Sequence, residues 1–431
     1  MRRRGVLAGL AGLVGLGTAQ PVLAATSRQS AGARRRPRRV RVGIEKLARD
    51  RYRLLRGQKV GVITNPTGVL PDLRHEVDVM AASDDVDIVA VFGPEHGFRG
   101  TAQAGNSEGF FIDPKTGLPV YDTFEKSGDE LADIFTRAGV DALVFDIQDV
   151  GARFYTYIWT MFDSMVAAVL AGKRFVVLDR PNPITGRAPS GPVLHPEYAT
   201  FVGREAICQV HGMTVGELAL LFNAEFLPRH AGDHVDMAVV EMDGWRRSMS
   251  YEQTGLPWVL PSPNMPTLDT AWVYPGSCLL SGTNLSQGRG TTRPFQMVGA
   301  PYIDHRWAEA LTALRLPGLQ FREAYFVPTF STYKDMTCGG VDIVVVDGPS
   351  VDAVRLGIAL LWTLKHLYPD DFAWRDEGTG DVHQYWIDNL TGSAWVRTAI
   401  DAGATIDEVI DGWREELARF SKLRDQYLLY G

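Results

Sequence analysis

Short, unbroken apolar runs separated by amphipathic stretches dominate the first half of the chain. Residues 59–64 (KVGVIT), 86–92 (VDIVAVF), 142–147 (ALVFDI) and 175–179 (FVVLD) are too short for helices and rich in β-branched and aromatic side chains. Helical periodicity falls between them, around 73–82, 130–138 and 160–171. Strands that are apolar on both faces and alternate with helices predict β-α-β units and a buried parallel sheet. The fold class expected is therefore α/β, with a Rossmann-like open parallel sheet over 42–195. A second α/β domain is expected over 196–431. Its elements are a helix near 214–225, strands near 235–241 and 341–347, and an amphipathic helix over 405–420. Residues 255–300 are Gly/Pro-rich and show little periodicity. Their Trp258, Trp272, Tyr274 and Phe295 argue for an ordered, functional segment rather than a disordered one.

The N-terminus changes the picture. Arg2, Arg3 and Arg4 precede an apolar run from Val6 to about Thr18, and Val22-Leu23-Ala24 forms a small-residue cleavage site. Residues 1–24 are expected to be a signal peptide of the twin-Arg type, removed on export to the periplasm, cell wall or medium, with no stable membrane insertion afterwards. The basic stretch 25–41, with Arg34-Arg35-Arg36-Pro37-Arg38-Arg39, reads as a solvated leader. The whole chain carries a formal charge of −7, and losing the leader arginines makes it more negative. That balance excludes a general nucleic-acid binder, which needs a basic face. Three cysteines without C-x-x-C spacing exclude a Cys-type zinc site and suggest packing roles.

In open α/β sheets, ligands bind beyond the carboxyl ends of the strands, and the unusual polar residues of this chain fall there. Asn65 follows the first strand, Glu95, His96 and Arg99 the second, Asp146, Asp149, Arg153, Tyr155 and Tyr157 the third, and Asp179 and Asn182 the fourth. Four such loops on one edge predict a pocket. Glu95 in Gly93-Pro94-Glu95-His96-Gly97 has the mounting and chemistry of a general acid or base, with His96 orienting it or binding substrate. Arg153 suits either a structural ion pair with Asp146 or Asp149, or a grip on a substrate carboxylate. Tyr155, Tyr157 and Trp159 suit sugar stacking or strand packing. There is no H-E-x-x-H, Walker A loop, G-x-S-x-G elbow or strand-linked G-x-G-x-x-G, so no metal and no cofactor is expected.

These motifs resemble a known family. G-V-I-T-N-P-T-G-V (61–69), G-P-E-H-G-F-R-G (93–100), D-I-Q-D-V-G-A-R-F-Y-T-Y (146–157), L-D-R-P-N-P-I-T-G (178–186), H-G-M-T-V-G-E-L (211–218), P-S-P-N-M-P-T (261–267) and N-L-S-Q-G-R-G-T-T-R-P-F (284–295) are similar to the NamZ-type exo-β-N-acetylmuramidases, from residue 42 to the end. The resemblance implies release of non-reducing-end N-acetylmuramic acid from peptidoglycan-derived muropeptides or disaccharides, and a Rossmann-like domain joined to a second, smaller α/β domain with the active site in the cleft between them. It implies catalysis by Glu95, with Asp146 or Asp149 as second carboxylate or the substrate's own acetamido group as nucleophile. It adds His211, Asn264, Asn284, Gln287, Arg289 and Thr291 to the substrate-binding candidates. Arg153 and Arg289 are the candidate clamps for the lactyl carboxylate. Many family members carry Glu where this chain has Gln287. The alternatives are a cell-wall amidohydrolase or esterase, and a non-catalytic muropeptide-binding protein.

Overall fold

The computed structural model describes residues 39–431. The expected signal peptide and most of the basic leader lie outside them. The leader's last residues do not behave as a solvated tail. Val40 is buried, Arg39 bonds both oxygens of Glu45, and Arg41 pairs with Asp243 at 2.7 Å.

Twelve strands run in chain order: β1 (Lys59–Thr64), β2 (Asp87–Gly93), β3 (Phe111–Ile112), β4 (Pro119–Asp122), β5 (Ala142–Asp146), β6 (Arg174–Leu178), β7 (Ser190–Val193), β8 (Cys208–Val210), β9 (Met237–Val240), β10 (Met297–Ala300), β11 (Leu319–Phe326) and β12 (Cys338–Val345). The large sheet has the order β3-β4-β2-β1-β5-β6-β9, parallel throughout except for the edge strand β3. Its parallel strands thus follow the doubly wound order 3-2-1-4-5-6, whose direction reverses between β1 and β5. The apolar runs read from the sequence are these central strands, buried on both faces as that reading requires.

The second part holds the antiparallel sheet β10-β12-β11, with the helices Leu268–Ser277 and Arg306–Ala313 against it and the helix Ala353–Leu367 packed on those two. Three expectations need correction. The strand near 235–241, assigned to the second domain, is β9, paired in parallel with β6 at the edge of the large sheet. The chain therefore returns to the first sheet after residue 195. The amphipathic helix over 405–420 is two helices, Ile406–Asp411 and Arg414–Arg424. At the break, a Cβ on Gly412 would lie 2.1 Å from the indole nitrogen of Trp395, which itself donates to Val409 O. Residues 255–300 contain the helix Leu268–Ser277, which packing covers on nearly every side, so no apolar stripe marks it.

One hydrophobic core cluster runs from the β5–β6 region through the helix Leu268–Ser277 to β12 and Ala353–Leu367. Cys208, Cys278 and Cys338 are buried and unpaired.

Candidate active site

At the end of β2, Gly97 N donates to Pro94 O at 2.8 Å and closes a turn with Glu95 and His96 at its corner. His96 takes φ +71°, a conformation costly for a non-glycine residue and characteristic of functional turns. Its Nδ1 lies 2.9 Å from Ala102 O; a carbonyl only accepts, so Nδ1 carries the hydrogen and Nε2 is left for other partners. The carboxylate of Glu95 is gripped at both oxygens. Gly105 N donates to Oε1 at 2.8 Å, and the Thr156 hydroxyl donates to Oε2 at 2.6 Å. Thr156 immediately precedes the helix Tyr157–Leu170, so the positive end of that helix also faces the carboxylate.

Glu95 lies in a cavity of about 670 Å³, large enough for a monosaccharide and part of its neighbour. From the β2 and β5 ends come Glu95, His96, Gln103, Tyr155, Thr156 and Tyr157, and from the second part Ser262, Asn264, Tyr274, Arg289, Phe330, Arg375 and Trp386. An aromatic wall joins the two sides. Tyr155 meets Tyr157 and Tyr274 edge-on at 5.1 and 5.5 Å, Tyr274 meets Phe295 at 4.8 Å, and the Arg289 guanidinium rests over Phe295 at 5.0 Å. Tyr157 donates to Pro261 O at 2.5 Å, beside the Asn65 amide, which donates to the same carbonyl at 3.2 Å. These two bonds pin the segment that carries Ser262 and Asn264. Burial pushes the Tyr155 and Tyr157 phenols up, so both stay protonated, Tyr157 as the donor to Pro261 O.

Several residues expected in the site support it from behind instead. Asp146 is fully buried, bonds Arg180 through both oxygens, and packs beside Glu76. Burial and then the charge of Asp146 push the Glu76 carboxyl well up. Asp149 accepts from Gly151 N at 2.6 Å and faces His211 Nε2 at 3.1 Å. Neither aspartate lines the cavity, and among the described residues Glu95 is the one carboxylate that does. Arg153 pairs with neither. It is fully buried and donates to Pro192 O, Ile207 O and Leu390 O at 2.9, 2.9 and 2.7 Å, and burial lowers it to about 10, which leaves it charged at neutral pH. It knits backbone segments together rather than gripping a ligand.

Arg99 is taken up by Asp78 and Asp113. Asp179 anchors the helix Val215–Leu221 through Thr214 and Gly216 and also accepts from the Tyr430 hydroxyl. Asn182 ties Met213 O to Ile184 N, Asn284 ties Asp371 O to Ala373 N, and Thr291 donates to Gly288 O within its own turn. Trp159 is buried against Phe222. All these polar side chains sit at strand ends or in tight turns, where backbone groups left without ladder partners need side-chain ones.

The cavity also contains residues that sequence reasoning did not single out. Thr156 lay between two named tyrosines in the D-I-Q-D-V-G-A-R-F-Y-T-Y motif and Ser262 beside Asn264. Arg375 and Trp386 come from a late loop and helix start with no sequence signal.

Comparison with known proteins agrees with this geometry. Residues 60–269 match the family described as "Exo-beta-N-acetylmuramidase NamZ, N-terminal", and residues 272–430 its C-terminal counterpart. The chain is 44% identical to the peptidoglycan beta-N-acetylmuramidase NamZ of Bacillus subtilis (strain 168), over 99% of this chain and 100% of that protein. A crystal structure of a DUF1343 family protein from Bacteroides fragilis superposes with a TM-score of 0.80 at 35% identity, covering 92% of this chain and 100% of that one. A second protein of that family and organism gives 0.72 at 30% identity, covering 91% and 99%. The chain belongs to the NamZ exo-β-N-acetylmuramidase family.

Proposed function

We propose that the Glu95 cavity takes the non-reducing-end N-acetylmuramic acid of a peptidoglycan fragment and hydrolyses its glycosidic bond. The chain is an exo-acting glycosidase, and the observation that carries the assignment to this cavity is that Glu95 alone supplies a carboxylate to its wall among the described residues. With both oxygens held, Glu95 is set to give a proton to the leaving oxygen as the bond to the anomeric carbon breaks.

With Asp146 and Asp149 engaged elsewhere, the second role falls to the substrate. Its acetamido oxygen bonds the anomeric carbon, and a water that then loses its proton to the Glu95 carboxylate opens the resulting ring. The net result is retention of configuration. Arg289 is the residue best placed to meet the lactyl carboxylate. The signal-like residues 1–24 support export, which would put the enzyme where cell-wall fragments are.

The test is turnover of a chromogenic β-N-acetylmuramide by wild type and by Glu95→Gln, with the anomer of the first-formed product read by NMR. Glu95→Gln is expected to lose roughly 100-fold or more in kcat. Unchanged turnover would remove Glu95 from the chemistry, and an α-configured first product would remove the acetamido route.

A further inference from the structure

One turn carries both Glu95 and His96, and one segment, residues 102–106, fixes both side chains. Gly105 N donates to Glu95 Oε1 at 2.8 Å. His96 N donates to Asn106 O at 2.9 Å, Ala102 N donates to His96 O at 3.2 Å, and His96 Nδ1 donates to Ala102 O at 2.9 Å. Three bonds to this segment thus hold His96 in its left-handed backbone conformation and fix where the ring points.

With the hydrogen on Nδ1, the Nε2 of a neutral His96 presents a lone pair. Among the described residues no group donates to it, and His96 lines the cavity while the residue as a whole stays buried. Its neighbour differs: both oxygens of Glu95 already accept a protein donor. The Nε2 atom is therefore an acceptor beside the catalytic carboxyl that only a ligand can complete.

The covalent structure of the sugar says which ligand group that is. Glu95 addresses the oxygen on the anomeric carbon, and His96 is the next residue, its Cα about 3.8 Å away as in any trans peptide. The group it meets lies next to the anomeric carbon. In N-acetylmuramic acid the adjoining carbon bears the acetamido N–H. The carbon after that bears an ether, which has no hydrogen to give, and the remaining hydroxyls stand farther round the ring. The acetamido N–H is thus the donor nearest the reacting centre, and among the described residues no carboxylate besides Glu95 lines the cavity to receive it.

We propose that His96 Nε2 accepts the hydrogen bond of the substrate's acetamido N–H, and so aims the acetamido oxygen at the anomeric carbon. The inference rests on the Glu95 cavity being the sugar site and on the acetamido route, and it names the protein group that route requires. As the acetamido oxygen bonds the anomeric carbon, the bond to the leaving oxygen breaks and that oxygen takes the Glu95 proton. Positive charge spreads onto the acetamido nitrogen, whose hydrogen becomes a stronger donor to the waiting lone pair. Water then bonds the anomeric carbon and gives its proton to Glu95, the acetamido oxygen departs, and the charge is gone. His96 shares a hydrogen throughout and ends as it began.

Two variants separate the acceptor from the fold. His96→Asn suits the left-handed backbone and keeps a short donor for Ala102 O, but withdraws the acceptor. His96→Gln places an amide oxygen where Nε2 was. Both are assayed beside wild type and Glu95→Gln on an aryl β-N-acetylmuramide, which has a good leaving group, and on a β-linked disaccharide, which has a poor one, with thermal melting as the folding control. His96→Asn is expected to lose roughly 100-fold in kcat by the same factor on both substrates, with KM within about threefold, and His96→Gln to recover at least tenfold of it. A His96→Asn deficit confined to the poor leaving group would mean that His96 merely orients Glu95, and the proposal falls. A third substrate, the aryl glycoside with an N-methylacetamido group, keeps the oxygen and lacks the N–H. Wild type and His96→Asn should turn it over equally, or, if neither does, be inhibited by it equally, because the bond under test is already absent. An undiminished difference on that compound overturns the proposal. The anomer of the first product tests the acetamido route itself, so retained configuration with a fully active His96→Asn sinks this inference alone.

Discussion

Thr156 donates its hydroxyl hydrogen to Oε2 of Glu95 across 2.6 Å, linking the end of one strand to the start of the helix that follows another. The bond aligns the carboxylate before substrate arrives. Thr156→Val keeps the shape and removes the donor, and kcat on a chromogenic β-N-acetylmuramide should fall by roughly tenfold, since small misplacements of a reacting group are costly. Thr156→Ser should restore most of the loss. Failure of serine to rescue would mean that the threonine matters for packing alone.

Arg153 should behave as a structural cation. Arg153→Met leaves three buried carbonyls without their donor and should cost on the order of 3 kcal/mol in a urea-unfolding experiment. Activity per folded molecule should change by no more than about threefold. Preserved stability with a raised KM would instead return Arg153 to the substrate site.

Asp179 predicts a pH dependence of stability. Burial raises its carboxyl to about 7, so the folded protein keeps this proton over a range where the unfolded chain, with an ordinary aspartate, has lost it. The folded state binds more protons between roughly pH 4 and 7, and stability must fall as pH rises through that window. Asp179→Asn removes the titration. The difference in unfolding free energy between wild type and variant should therefore move against wild type by a few kcal/mol at most from pH 4.5 to 7.5. A difference flat in pH would show that Asp179 is charged in the folded protein.

Gly290 is the position where a single methyl should disturb the cavity rim. Its φ is +81°, and a Cβ there would come within 2.6 Å of Phe330 N. Gly290→Ala should lower stability by roughly 1–3 kcal/mol and raise KM, as the Phe330 segment is pushed from its place. An unchanged KM would mean that this segment does not bound the substrate.

The parallel strands were legible because their burial on both faces writes itself as unbroken apolar runs, and the carboxyl-end rule then located Glu95 and His96 correctly at the cavity. The rule overreached at Asp146, Asp149, Asp179 and Asn182. A sequence shows that polar side chains stand at a strand end, but not which of them are consumed by backbone groups and neighbouring charges. Arg153 illustrates the limit: its partners are carbonyls as much as 237 residues away, a kind of contact that leaves no mark in residue types. Arg375 and Trp386 were missed for the complementary reason, since only the fold brings residues from so late in the chain to the first sheet. The strand β9 was misassigned because its run is ordinary for an edge strand of either sheet.

The bond between Tyr430 and Asp179 spans 251 positions and fastens the carboxylate that anchors a helix of the large sheet. The order of events during synthesis follows from it. A nascent chain can build the strands of that sheet early, yet the Asp179 end is closed only once Tyr430, made 251 positions later, has been added and docked. Until then the half-finished sheet is exposed to misassociation, and a chain without Tyr430 would have most of its parts and lack its latch.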